Sequence, residues 1–165
     1  MKNLKKYLFV LLGVFLSGVM VPSMLFAEAV SVPSQTFDLG AVQGVWDQTA
    51  QTLTVQGNGK IDRNKWFQMR NTLKLTVDSI SKIEFTSGVQ FSDDASSFFE
   101  SFKVENIVFP ADIDTSNVTT MRSMFYWTRT LESPVHFRDT SNVEDMVYMF
   151  WNSKVPSVSI GNAGK

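Results

Sequence analysis

From residue 80 onward the apolar positions fall into one short word, apolar-x-x-apolar-x-apolar. It reads ISKIEF from Ile80, VENIVF from Val104, LESPVHF from Leu131 with one residue of slippage, and VPSVSI from Val155. The starts lie 24, 27 and 24 residues apart. Alternation inside each word predicts a strand with one buried face. Ile83 and Phe85, Ile107 and Phe109, Val135 and Phe137, and Val158 and Ile160 then form a core ladder, while Glu84, Val108, His136 and Ser159 face outward. A unit of this length cannot bury its apolar side alone and must stack on its neighbours. The expected fold is an α/β solenoid: leucine-rich-repeat-like coils with a short parallel sheet and short helices, behind a small β-rich N-terminal cap.

Between the strand words the pentapeptide DTSNV occurs twice, at Asp114–Val118 and Asp139–Val143, a spacing of 25 residues. The match extends beyond it, pairing Met121 with Met146, Met124 with Met149, Phe125 with Phe150 and Tyr126 with Trp151. Phe98 and Phe99 take the corresponding place one unit earlier, which gives three units and the strand of a fourth over residues 80–165. Val118, Met121, Met124 and Phe125 trace a helical stripe. The polar residues before it suit a helix start, and Ser141 with Glu144 has the spacing of a capping box. Asp114, Ser116, Asn117, Met121, Phe125 and their copies Asp139, Ser141, Asn142, Met146, Phe150 are therefore read as structural repeat positions. Metal ligation by the aspartates is the weaker reading, since no glycine-containing oxygen-rich loop surrounds them.

Upstream, residues 30–44 are small and polar and read as a linker, followed by the β-rich cap over 45–79. Leu53–Val55 and Leu73–Val77 alternate like half-buried strands, and Gly57-Asn58-Gly59 between them reads as a turn. The stretch NKWFQMRN is compatible with a helical turn or an irregular loop.

The N-terminus changes the picture. Three lysines, an apolar run and an A-x-A pattern at Ala27 and Ala29 predict a signal peptide over residues 1–29, and an uncleaved anchor is the competing reading. Removing it leaves 12 basic and 15 acidic residues, a formal charge of −3. Such a surface offers nothing to nucleic acid. The expected location is secreted or cell-surface, with membrane contact only through the signal segment. There is no cysteine, hence no disulfide and no lipid-anchoring thiol.

DTSNVTTMRSMF and DTSNVEDMVYMF, each preceded by an apolar strand, closely resemble the BspA-like leucine-rich repeats of bacterial surface proteins. The segment WDQTAQTLTVQGNG…WF…ISKIEF is similar to the lead-in of such repeats in some Gram-positive members. The resemblance covers roughly residues 45 to 160 and implies a surface protein of adhesion type with no enzymatic activity in the repeat. Family members often carry more repeats and a wall-attachment region. The expectation is therefore either a truncated product of a longer gene or self-association through an uncapped C-terminal coil.

Enzyme chemistry finds little purchase. The lone histidine, His136, would have to serve any Ser-His-Asp arrangement, no G-x-S-x-G elbow is present, and one histidine without cysteine makes a poor zinc site. No cofactor is expected. Tyr126, Trp127, Tyr148 and Trp151 carry more interest: packing between coils is the favoured reading, and exposure would make them contact residues. Glu84, Val108 and His136 on the strand faces are the other candidate contacts. The leading expectation is a non-enzymatic interaction protein binding a host or bacterial surface protein or glycan. The alternative is a structural fragment with no ligand of its own.

Overall fold

The computed structural model describes residues 34–75, 80–111, 113–129 and 134–161, so the expected signal peptide lies outside the described residues. The chain is mostly sheet with one helix, in the order β1 (Gln35–Asp38), β2 (Gly40–Asp47), β3 (Thr52–Ile61), α1 (Arg63–Thr72), β4 (Ile80–Phe85), β5 (Val89–Gln90), β6 (Val104–Val108), β7 (Val135–Phe137) and β8 (Val158–Ile160).

The N-terminal part departs from the expected linker and turn. β1 and the start of β2 occupy residues read as linker, and the two strands pair antiparallel with Gln35 opposite Trp46 and Thr36 opposite Val45. Polar residues suffice there because β1 is an edge strand, mostly exposed. Gly57 and Gly59 do not turn the chain; they lie inside β3 at φ +132° and +128°. Val42 and Ala41 of β2 press so close that a Cβ at Gly57 would stand 2.9 Å from the Val42 Cα. The glycines thus carry β3 through a register shift opposite β2.

NKWFQMRN resolves as helix α1, capped by Asp62, whose carboxylate accepts from the Lys65 N–H at 3.0 Å. Trp66, Met69 and Arg70 form its buried face. Leu73–Leu75 is the helix exit and not a strand: Leu73 is the C-cap, Lys74 adopts φ 52°, and the Leu75 N–H returns to the Arg70 carbonyl at 3.1 Å. Leu75 is buried all the same, so its apolar character serves the core from a turn.

The strand words are where the periodicity puts them. β3, β4 and β6 pair parallel, with Leu53 opposite Ile83 and Ile83 opposite Ile107, and β7 pairs parallel with β8. Ile83, Phe85, Ile107, Val135 and Phe137 are buried as expected, and Phe109 packs half-buried on the Phe85 ring at 5.2 Å. Val158 and Ile160 are a correction: at 38% and 41% exposed they belong to no core, because no described residue covers the outer side of β8.

The expected helices after DTSNV are absent. Each is a run of tight turns, with bonds from Met124 N–H to Met121 O, Tyr126 N–H to Ser123 O and Thr128 N–H to Phe125 O. Ser123 and Trp127, and likewise Tyr148 and Asn152, sit at positive φ between 51° and 58°. The intervening N–H groups point sideways, and Met121, Ser123, Phe125 and Trp127 donate to the carbonyls of Asp145, Val147, Met149 and Trp151 at 2.8–2.9 Å. Ala95, Ser97, Phe99 and Ser101 donate likewise to Thr120, Arg122, Met124 and Tyr126. A helix would spend the same N–H groups within one segment, so inter-unit pairing overrides the local helical pattern. The Ser141–Glu144 capping box is lost for the same reason, as the Glu144 N–H goes to the Thr119 carbonyl. The apolar stripe survives the change: Val118, Met121, Met124 and Phe125 are fully buried, and Phe125 stacks between Phe99 at 5.0 Å and Phe150 at 5.3 Å.

Candidate functional site

DTSNV divides its work residue by residue. Asp114 accepts from the Ser116 N–H at 2.9 Å and its hydroxyl at 2.6 Å, and Asp139 accepts from the Ser141 N–H at 2.9 Å. These bonds close an Asx turn. The buried Thr115 hydroxyl donates forward to the Asp139 carbonyl, and the Thr140 hydroxyl donates to Gly161 O. Asn117 reaches backward, its amide donating at 2.9 Å to both Phe91 O and the Asp93 carboxylate, and Asn142 does the same to Ser116 O at 2.6 Å. Thr115 and Thr140, absent from the sequence-derived set, are thus stacking residues as much as Ser116 and Asn117. The signal was their presence in both copies.

The carboxylates carry a pH dependence. The Ser116 hydroxyl and N–H hold Asp114 below the usual carboxylate range, the Ser141 N–H does so for Asp139, and the Val147 N–H followed by Arg122 does so for Asp145. A carboxyl depressed in the folded state contributes stability that is present above its unfolded value, about 3.9, and lost as pH falls through the folded value. The urea midpoint of the full chain is expected to fall as pH is lowered from about 4 toward 2, and to fall less steeply in Asp139→Asn. A midpoint that is flat over that window would contradict these bonds.

The candidate contact residues fall on two surfaces. On the sheet, Glu84 stands beside Val108 in register, and Glu84 is held by Lys82 at 2.8 Å. His136 is exposed beside Ser159 on the other strand pair. The aromatic residues gather along the turns. Trp127, Tyr148 and Trp151 are 39%, 55% and 58% exposed, so they do not pack between units, whereas Tyr126 is half-buried. The reason is conformational: Trp127 and Tyr148 occupy the positive-φ corners, from which a side chain cannot turn into the core filled by Met124, Phe125 and Met149. Backbone pairing joins the two units here, the Trp127 N–H donating to Trp151 O at 2.9 Å. The Tyr148 and Trp151 rings meet edge to face at 5.7 Å, and Arg129 lies 5.8 Å from the Trp127 ring. The result is one continuous aromatic edge across two units, with Val147 exposed next to it.

Residues 91–162 match the family described as Mycoplasma protein of unknown function, DUF285. A DUF285 domain is present. A structural neighbour is a leucine-rich repeat protein from Eubacterium ventriosum ATCC 27560, at 17% identity and a TM-score of 0.42, with 77% of this chain and 40% of that chain covered. The chain therefore spans less than half the length of that protein. Comparison with curated proteins finds no match.

Proposed function

We propose that the chain is a non-enzymatic interaction module, a BspA-like repeat solenoid acting outside the cell, that binds a surface protein or glycan through the edge of Tyr126, Trp127, Tyr148 and Trp151. The observation that carries this reading is the exposure of Trp127, Tyr148 and Trp151 on two units locked together by backbone pairing. Large apolar rings held on a fixed backbone lose little conformational freedom on binding and dominate contact energetics. Arg129 beside Trp127 adds a cation suited to a carboxylate-bearing partner. Glu84, Val108 and His136 lie on the sheet and not on this edge, and they are not required for it.

The test is binding of the full chain to immobilised extracellular-matrix proteins, bacterial wall fractions and itself. The double variant Trp127→Ala, Trp151→Ala is expected to bind its target at least about tenfold more weakly, with an unchanged melting temperature. Undiminished binding, or binding only to itself, would remove the edge from consideration.

A further inference from the structure

The hydrogen bonds between units have a direction. In each unit alternate turn N–H groups point toward the following unit, and the matching carbonyls point toward the preceding one. At the N-terminal end of the stack the carbonyl row of the first unit has no preceding unit to meet. It is occupied instead by side chains of α1. Arg63 donates to Ser96 O at 3.1 Å, the Trp66 indole to Phe98 O at 2.9 Å, and Arg70 to Glu100 O at 2.7 Å. These carbonyls correspond to Arg122, Met124 and Tyr126 of the second unit, which accept from Ser97, Phe99 and Ser101. Residues spaced three and four apart on one helix face thus reproduce the donor row of a repeat unit.

The opposite end is complementary and open. Following the register of Met121, Ser123, Phe125 and Trp127, the third unit turns the N–H groups of Met146, Tyr148, Phe150 and Asn152 outward, and among the described residues none of the four meets an acceptor. One acceptor accompanies them, the Glu144 carbonyl, in the position from which Asp93 O and Thr119 O accept from the following unit. Around this row lie Met146, Phe150, Trp151 and the exposed Ile160 of β8.

A second copy cannot continue this stack. Face to face, two such ends oppose donors to donors. Head to tail, the carbonyl row that would fit is already taken by Arg63, Trp66 and Arg70. We propose that this face docks a coil of the same repeat on a partner polypeptide, entering with its uncovered carbonyl row against Met146, Tyr148, Phe150 and Asn152. The docked coil continues the interface between the second and third units, adds one parallel strand to β8, and lays an aromatic ring on Phe150 as Phe150 lies on Phe125. This surface is separate from Trp127, so it stands or falls independently of the aromatic edge.

The probe is a peptide of residues 138–160, added to the full chain and, in a second protein, appended directly after Ile160 so that the tether supplies it at high effective concentration. Amide exchange is followed at the four donors, with Ser97 and Ser123 as internal reporters of the folded stack. The expected result is exchange slowed at least about tenfold at Met146, Tyr148, Phe150 and Asn152. If the free peptide gives no protection the tethered chain decides, and unprotected donors there, with Ser97 and Ser123 still protected, overturn the proposal. Protection that grows with concentration of the unextended chain alone would assign the face to a second copy and overturn it equally.

Discussion

Trp66→Ala is expected to cost the fold about 3 to 5 kcal/mol, the range for truncating a large buried aromatic. Trp66 is fully buried, stacks on Phe98 at 4.8 Å, and meets Phe99 edge to face at 5.9 Å. Its indole N–H also supplies Phe98 O with its hydrogen bond. Truncation therefore removes three things at once: the buried surface, the ring contacts, and the donor to a buried carbonyl that water cannot readily reach. Trp66→Phe separates them, since a ring remains and only the donor is lost; its expected cost is about 1 to 3 kcal/mol, that of an orphaned buried polar group. Urea unfolding of the three proteins measures both numbers. A loss below about 1 kcal/mol in Trp66→Ala would mean that α1 does not close the end of the stack.

Phe125→Ala is the second large effect, again about 3 to 5 kcal/mol. Phe125 is fully buried between two parallel rings, at 5.0 Å from Phe99 and 5.3 Å from Phe150. The cavity would lie in the middle of the column, where backbone pairing of Phe99 to Met124 O and Phe125 to Met149 O prevents the neighbouring units from collapsing into it. Phe150 has a ring on one side only and is half-buried, so Phe150→Ala is expected to cost clearly less. Equal losses at the two positions would show that the stacked column does not carry the energy assigned to it.

What the sequence made legible was the period and the inward face; what it hid was the backbone that delivers them. Val118, Met121, Met124 and Phe125 are all in the core. Their 3, 3, 1 spacing fits consecutive tight turns as well as a helix, and no local signal separates the two. The deciding factor is whether alternate N–H groups find acceptors on a neighbouring unit, which is a property of the stack. Gly57-Asn58-Gly59 misled for a related reason: its glycines answer the approach of Val42 and Ala41, residues distant in sequence. The same holds for β1, whose polar composition resembles a linker because an edge strand has little to bury. Helix α1 was left open between helix and loop because its sequence is short and mixed. Its Arg63, Trp66 and Arg70 acquire meaning only once the carbonyls of Ser96, Phe98 and Glu100 are seen to need donors.

The aromatic edge was legible as composition and not as exposure. Trp127 and Trp151 read as packing residues because tryptophan is mostly buried. Exposure follows from the corner conformations at Trp127 and Tyr148, beside a core already filled by methionine and phenylalanine. The residues identical between the two DTSNV copies hold the units together, and those that differ, such as Arg122 against Val147, remain at the surface.

The central claim is that the repeat is held by alternate N–H groups directed from one unit to the next, and native-state amide exchange of the full chain tests it most directly. Met121, Ser123, Phe125 and Trp127 are expected to be protected, while their counterparts Met146, Tyr148, Phe150 and Asn152 exchange freely in the dilute chain. Equal protection of the two sets, as helices following each DTSNV would give, would contradict it.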